Sequence, residues 1–323
     1  MNEFELIRRY FSFSSGVLSA PDLGIGDDCA LLSVPSNCQL AVSTDTLVSG
    51  VHFPVDGSPD LIGRRALRVN LSDLAAMGAA PLGFQLALSL PALNQAWLQQ
   101  FSEGLAKDAA AYGCPLVGGD TTRGPLAITI TVLGVVEKGR ALQRSGARLG
   151  DSVFVTGTLG DSAGGLRCLE AEVANDFLLN RYWLPSPRVA MASVLQGFAS
   201  AAVDISDGLL QDLGHILTSS SQPGVVGLGA RVALEALPLS KEALGFFGEQ
   251  NARENALFGG DDYELCLTVP AEKEEAFLKQ IQGMEIEVSK IGAIIEHSSP
   301  EVQVVNAAGD VLNIESKGYD HFR

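Results

Sequence analysis

Six short motifs in this chain share one design. "GIGDDC", "STDT", "NLSD", "VGGDTT", "VDISDG" and "FGGDDYE" set Asp27, Asp28, Asp45, Asp73, Asp120, Asp204, Asp207, Asp261 and Asp262 beside glycine or a small hydroxyl residue, where elements are predicted to end. Short carboxylates on tight turns can converge, and hard oxygen donors suit magnesium. That ion usually takes one or two carboxylates and completes its octahedron with waters and substrate phosphates. Glycines such as Gly118 and Gly119 let the main chain approach a phosphate closely. Taken singly, most of these aspartates have simpler readings. Asp60 and Asp207 read as helix caps, and Asp120 or the Asp207-Gly208 pair as turns. Asp73 is harder to dismiss. It falls among Leu71, Leu74 and Ala75 of an apolar helix, so it either faces solvent or has a cation, because a buried carboxylate without a partner is costly. Six motifs together exceed what capping explains.

The elements that must position these residues alternate between strand and helix. Residues 39–53 read as a strand ending in a polar turn. Residues 60–78 read as a helix with Asp60 as cap and Gly78 as stop, and it places Asn70 and Asp73 on one face. A strand follows over 84–90, then a helix over 94–113 between Asn94 and Gly113. The "LAITITVLGVVE" run (126–137) alternates as a strand should. A second half repeats the rhythm through "DSVFVTG", "DSAGGLRCLEAEV", "AAVDISDGLLQDLGHILTSS" and "DYELCLTVP". The pattern predicts two α/β (α+β) domains, 1–138 and 151–323, with 139–150 as a linker where glycines and basic residues cluster. In "LGIGDDCALL" (23–32) the apolar run suggests a chain entering a core. Asp27 is there either a supporting partner of Asp28 or a turn residue.

Bulk properties narrow the function. At 323 residues the chain suits two domains. A net charge of −16 disfavours nucleic acid and anionic membranes as partners. The same field repels phosphorylated ligands unless cations stand between carboxylate and phosphate. No apolar run reaches the roughly 18 residues of a membrane span, and "MNEFELIRRYF" lacks the layout of a signal peptide. Five scattered cysteines without a CxxC suggest the reduced thiols of a cytoplasmic protein. There is no GxxxxGK[ST] loop and no protein-kinase motif set. "TGTLGDSAGG" (156–165) is either a phosphate cradle or a structural loop. Among four histidines only His52 lies near the aspartate motifs, and no nucleophile–base pairing is visible.

In combination, "GIGDDCALL", "STDTLVSGVHF", "VNLSDLAAMGA", "VGGDTTRGP", "ALQRSGARLGD", "VDISDGLLQDLGH", "GGDDYELC" and "KGYDHF" resemble the thiamine-monophosphate kinase family, in order, over residues 24–322. The resemblance implies a PurM-like fold whose N-terminal domain forms a homodimer. It also implies ATP-dependent, magnesium-assisted phosphorylation of thiamine monophosphate to thiamine diphosphate. Matched position by position, it implies Asp28, Ser43, Thr44, Asp45, Asp73, Asp120, Asp204 and Asp207 as metal ligands. Gly119, Asp120, Arg144 and Ser206 match ATP positions, and His52, Asp261 and Tyr319 match the substrate pocket. Asp45, Asp73, Asp120 and Arg144 would carry the catalytic burden. One departure stands out: Asp261 occupies a place where the family usually has Glu.

The residues suit that reaction. The acceptor phosphate, with a second pKa near 6 by analogy with phosphomonoesters, is largely ionised at neutral pH, so no strong general base is needed. Phosphoryl transfer is then a matter of positioning and charge neutralisation. Arg144 offers a bidentate clamp for phosphate. Ser206 and Asp207 precede a helix whose N-terminus favours phosphate directly, and Tyr319 offers a ring to the cationic thiazolium. Two other readings compete, a synthetase that releases inorganic phosphate and a silent magnesium–nucleotide sensor.

Overall fold

The computed structural model describes residues 3–11, 21–221 and 227–313; Tyr319 and the rest of "KGYDHF" lie outside them. The chain divides into two compact units, Met1–Leu74 with Ala79–Arg140, and Ala75–Gly78 with Ala141–Arg323.

The first unit contains α1 (Glu3–Tyr10), β1 (Cys38–Val48), α2 (Pro59–Ala76, whose last two residues group with the second unit), β2 (Ala80–Leu90), α3 (Gln95–Ala111), β3 (Leu116–Arg123) and β4 (Ala127–Glu137). Its sheet runs β1-β4-β2-β3, with β4 antiparallel to both neighbours and β2 parallel to β3. The alternation of β4 is realised: Ile128, Ile130 and Val132 are wholly buried on one face. The helices cover that face. Glycines let α2 and α3 approach closely, since a Cβ on Gly104 would stand 2.2 Å from the Asp60 carbonyl oxygen. Buried Asp108 of α3 staples them further by holding Arg64 and Arg68 of α2. The opposite face is open, leaving Leu40 46% and Val42 56% exposed.

Several boundaries differ from expectation. β1 stops at Val48, and residues 49–53 fold into a turn. Asp60 is not the cap of α2. It lies inside the first turn, where its carboxylate accepts the Ser58 hydroxyl (2.7 Å), and the Ser58 carbonyl starts the helix. Asn94 does cap α3, accepting the Trp97 amide at 3.1 Å. The "VGGDTT" motif was not expected to be a strand, yet it forms most of β3. Leu31 is 56% exposed, so "CALL" does not enter a core; Leu23 and Leu31 instead close the loop by pairing their main chains.

The second unit contains β5 (Ser152–Thr156), α4 (Asp161–Glu170), α5 (Asp176–Trp183), α6 (Ala192–Phe198), β6 (Ala201–Asp204), α7 (Leu209–Ser220), β7 (Leu228–Ala233), α8 (Lys241–Phe258), β8 (Leu265–Val269), α9 (Glu274–Ile281), β9 (Val288–Glu296) and β10 (Val302–Val305). The sheet order is β10-β7-β9-β5-β8-β6. Strands β5, β6 and β8 are buried at every residue, so their sequences are apolar on both faces through their middles rather than alternating. Val153, Val155 and Val203 pack with Leu209, Leu213 and Ile216 of α7. Phe154, Leu265 and Leu267 form a separate cluster with Leu195 of α6 and Phe277 of α9. The expected linker 139–150 is corrected. From Ala141 onward it belongs to this unit, with Leu142 and Ala147 buried and the Gln143 carbonyl accepting the Ala202 amide at 3.0 Å.

Candidate active site

Three groups of side chains emerge, two on the first unit and one on the second. On the helix-covered face, the Ser43 hydroxyl donates to Asp73 Oδ2 at 2.5 Å. Asp45 is half-buried alongside. Burial pushes its carboxyl up to about 6, and the charge of Asp73 adds to the rise. Asp73 therefore faces Ser43 and Asp45 rather than lying alone on an apolar helix. Asn70, fully buried one turn earlier on α2, joins the two elements. Its Oδ1 accepts the Asp45 amide (3.1 Å) while its Nδ2 donates to the Ala66 carbonyl (2.9 Å). Two carboxylates and a hydroxyl crowded into one half-buried place form a hard-oxygen donor set that fits magnesium. Thr44 does not share this group. Neighbours along a strand point to opposite faces, and its hydroxyl meets that of Thr131 on the open face at 2.9 Å.

The open face borders a cavity of about 1120 Å³ whose walls include Gly26, Asp28, Gly119, Asp120, Thr129 and Thr131. The GDD loop and β3 thus share one space. Asp27 accepts the Asp28 amide at 2.8 Å. Gly119 has a φ of +151°, and a Cβ there would lie 1.9 Å from the Leu86 carbonyl oxygen, so only glycine fits. His52 sits in the turn after β1. Its Nδ1 accepts the Val48 amide at 3.0 Å, which assigns the proton of the neutral ring to Nε2.

In the second unit, Asp204 ends β6 and Ser206-Asp207-Gly208 leads into α7. The three amides of this turn all point at Asp212 Oδ2, at 3.1, 3.1 and 3.2 Å. The helix N-terminus expected to receive phosphate already holds an internal carboxylate, and that expectation is corrected for these amides. Burial raises the Asp212 carboxyl to about 7 against the pull of the Asp207 amide. Asp207, Asp212 and His215 each bring a potential ligand atom within 4.8 Å of the others. The "TGTLGDSAGG" loop is filled in the same way, since Asp262 accepts the Gly160 and Ser162 amides at 2.6 and 3.2 Å. Arg144 is exposed, and its carbonyl accepts the Ser220 hydroxyl at 3.3 Å.

The "GGDDYE" segment runs beside the same turn. The Asp261 amide donates to the Ser206 carbonyl (2.8 Å) and the Tyr263 amide to that of Ile205 (2.9 Å). Asp261 and Tyr263 have φ of +67° and +50°; among the described residues only Glu172 is another non-glycine of this kind. Each costs about 1–3 kcal/mol and persists only where the surroundings impose it. Buried Glu264 supplies part of that constraint, binding Arg188 (2.5 Å), Arg181 (2.8 Å) and the Thr156 hydroxyl (2.6 Å). Asn70, Asp212 and Glu264 received no role from sequence. Asp212 carried a usable signal, a carboxylate in the first turn of a helix, where amides seek a cap.

The chain also matches known proteins over nearly its whole length. Residues 26–136 match the N-terminal domain model, and residues 148–305 the C-terminal domain model, of AIR synthase related proteins. Thiamine-monophosphate kinase of Salmonella typhimurium is 44% identical, covering 99% of this chain and 98% of its own. The crystal structure of thiamine-monophosphate kinase from Stenotrophomonas maltophilia K279a superposes with a TM-score of 0.81, at 44% identity over 87% of this chain and 90% of that one. AaThiL complexed with AMPPCP and TMP gives 0.77, at 35% identity over 92% of each chain. By descent and by fold, therefore, the chain belongs to the thiamine-monophosphate kinase family, within the AIR synthase related proteins.

Proposed function

We propose that the protein transfers the terminal phosphate of ATP to thiamine monophosphate, forming thiamine diphosphate and ADP. The observation that carries this reading is the Asp45–Asp73 pair with Ser43: two carboxylates that raise one another's cost and a hydroxyl, held together by Asn70. Such a group suits a cation, and a phosphate-transfer site in an acidic protein needs one. The related structure bound to AMPPCP and TMP supports the choice of substrates.

Magnesium held by Ser43, Asp45 and Asp73, with Asp28, Thr44, Asp120, Asp204 and Asp207 as the further candidate ligands, would supply the positive charge that lets two phosphate-bearing substrates meet. The chain's own residues supply position. Gly119 brings bare main chain to the cavity that Asp120 and Asp28 line. Arg144 and Ser206 are the proposed nucleotide contacts, with Arg144 as the phosphate clamp. His52 and Asp261 are the proposed contacts to the acceptor substrate. No side chain is required as a strong base, because the attacking phosphate oxygen is already ionised at neutral pH.

The two units serve as an N-terminal ATP- and metal-binding domain and a C-terminal domain. We further propose a homodimer in the cytoplasm, supported by the open apolar end of the first unit's sheet at Leu40 and Val42 and by the absence, among the described residues, of a helix long and apolar enough to cross a membrane. The test is product analysis with γ-labelled ATP, magnesium and thiamine monophosphate. Label should appear in thiamine diphosphate in step with ADP. Label released as inorganic phosphate would identify a synthetase, and ATP binding without turnover a sensor; either overturns the proposal.

A further inference from the structure

Two of the three left-handed non-glycine residues described in this chain flank a single buried aspartate, in the order Asp261, Asp262, Tyr263. The segment is held from three sides. Asp262 is wholly buried and caps the start of α4 through the Gly160 and Ser162 amides. Glu264, also wholly buried, is clamped by Arg181 and Arg188. The Asp261 and Tyr263 amides are tied to the strand-end carbonyls of Ser206 and Ile205. Residues pointing inward thus anchor the two that remain half-buried. Backbone strain maintained by this much buried polar structure calls for an explanation in what the strained residues do. What the twist achieves is visible: it folds Tyr263 back so that its phenol donates to Asp261 Oδ1 at 3.1 Å.

We propose that Tyr263 is a specificity-determining residue: its phenol orients the Asp261 carboxylate toward the amine-bearing pyrimidine of the acceptor substrate. The inference rests on the reading of Asp261 as a substrate contact. A carboxylate is repelled by either phosphate, so its partner on the acceptor is the ring system. The thiazolium charge is diffuse and offers no N–H, whereas the exocyclic amine of the pyrimidine is a directional donor. A directional donor rewards an acceptor whose orientation is already fixed, because less freedom is lost on binding. Asp262 and Glu264 act through the backbone as positioning residues and touch no substrate.

The experiment compares wild type, Asp261→Asn and Tyr263→Phe with two acceptors, thiamine monophosphate and oxythiamine monophosphate, in which oxygen replaces the pyrimidine amine. Steady-state constants are measured together with the calorimetric Kd of thiamine monophosphate in the absence of ATP. With thiamine monophosphate, Tyr263→Phe should raise KM and Kd about fivefold and Asp261→Asn more, with kcat and the KM for ATP within about twofold. Wild type should disfavour the oxygen analogue, and both variants should narrow that preference. If Asp261→Asn leaves the KM for thiamine monophosphate unchanged, the substrate reading of Asp261 fails. If Asp261→Asn raises it but Tyr263→Phe does not, the role of Tyr263 alone fails. Equal losses with both acceptors would overturn the assignment to the amine, and a fall in kcat with unchanged KM would make Tyr263 part of the chemistry rather than of recognition.

Discussion

At the proposed magnesium site the ion would compete with a proton for Asp45, and the structure sets the pH dependence of that competition. In the unfolded chain this carboxyl titrates near 3.8; in the fold, burial and then Asp73 raise it to about 6. A raised acid stabilises the metal-free fold fully below the unfolded value, and that contribution is lost as pH climbs through the folded one. Metal-free protein should therefore lose up to about 3 kcal/mol at this group between pH 4 and pH 7. Added magnesium should restore much of it by binding the ionised form. At pH 5 about one carboxyl in ten is ionised, so the apparent magnesium affinity at this pair should be about tenfold weaker than at pH 7.5. Urea unfolding of the metal-free protein at pH 4 and pH 7 measures the first, and calorimetric titration of the nucleotide-free protein, in two buffers of different protonation enthalpy, measures the second. It should show nearly one proton released per ion at pH 5 and almost none at pH 7.5. Asp73→Asn should lower the plateau affinity and move the midpoint to lower pH, because one of the two causes of the rise is gone. Affinity that is flat from pH 5 to 7.5, or an unmoved midpoint in Asp73→Asn, would refute the reasoning.

Asn70→Ala removes the acceptor of the Asp45 amide and a donor to the Ala66 carbonyl. It should cost about 2 kcal/mol, seen as a lower Tm by calorimetry, and weaken magnesium binding without touching the ion. Gly119→Ala drives a Cβ into the Leu86 carbonyl. Urea unfolding should show a loss of about 3 kcal/mol or more, with a raised KM for ATP in whatever folded protein remains. Asp212→Ala abandons three amides, so hydrogen exchange over residues 206–208 should quicken at least tenfold. Asp212→Asn, which keeps an acceptor oxygen, should fall between that variant and wild type.

How much of this was legible depends on whether the cause of each feature is local. The strand at 127–137 and the helix after Asn94 were readable because alternation and a cap act within a few residues. The strand carrying Gly119 and Asp120 was not. Gly118, Gly119 and Asp120 interrupt the strand-favouring Val117, Thr121 and Thr122, and the segment is extended because it pairs with β2. The aspartate motifs were visible as a set, but their grouping was not. Asp73 meets a hydroxyl thirty residues away, and Thr44 leaves Ser43 and Asp45 because the pleat alternates, which the motif "STDT" conceals. Leu31 looked like a core residue from its neighbours alone. Nothing local reveals that Leu23 and Leu31 pair through the main chain and leave the side chain outside.

The two places where sequence suggested a direct phosphate seat share one physical outcome. The amides before α7 are taken by Asp212, and those at the start of α4 by Asp262. In each case an internal carboxylate stands where an anionic ligand would otherwise go, satisfying donors that a helix start leaves unpaired. The consequence is electrostatic. A helix N-terminus that ordinarily attracts anions becomes neutral or negative once a carboxylate fills it, so Asp204 and Asp207 near one such turn favour a cation over a phosphate. A chain carrying a net charge of −16 would then admit phosphates chiefly in company with metal ions. On this argument the filled helix starts offer a phosphate no free amides of their own, and the proposed metal ions with Arg144 would have to supply the positive charge instead.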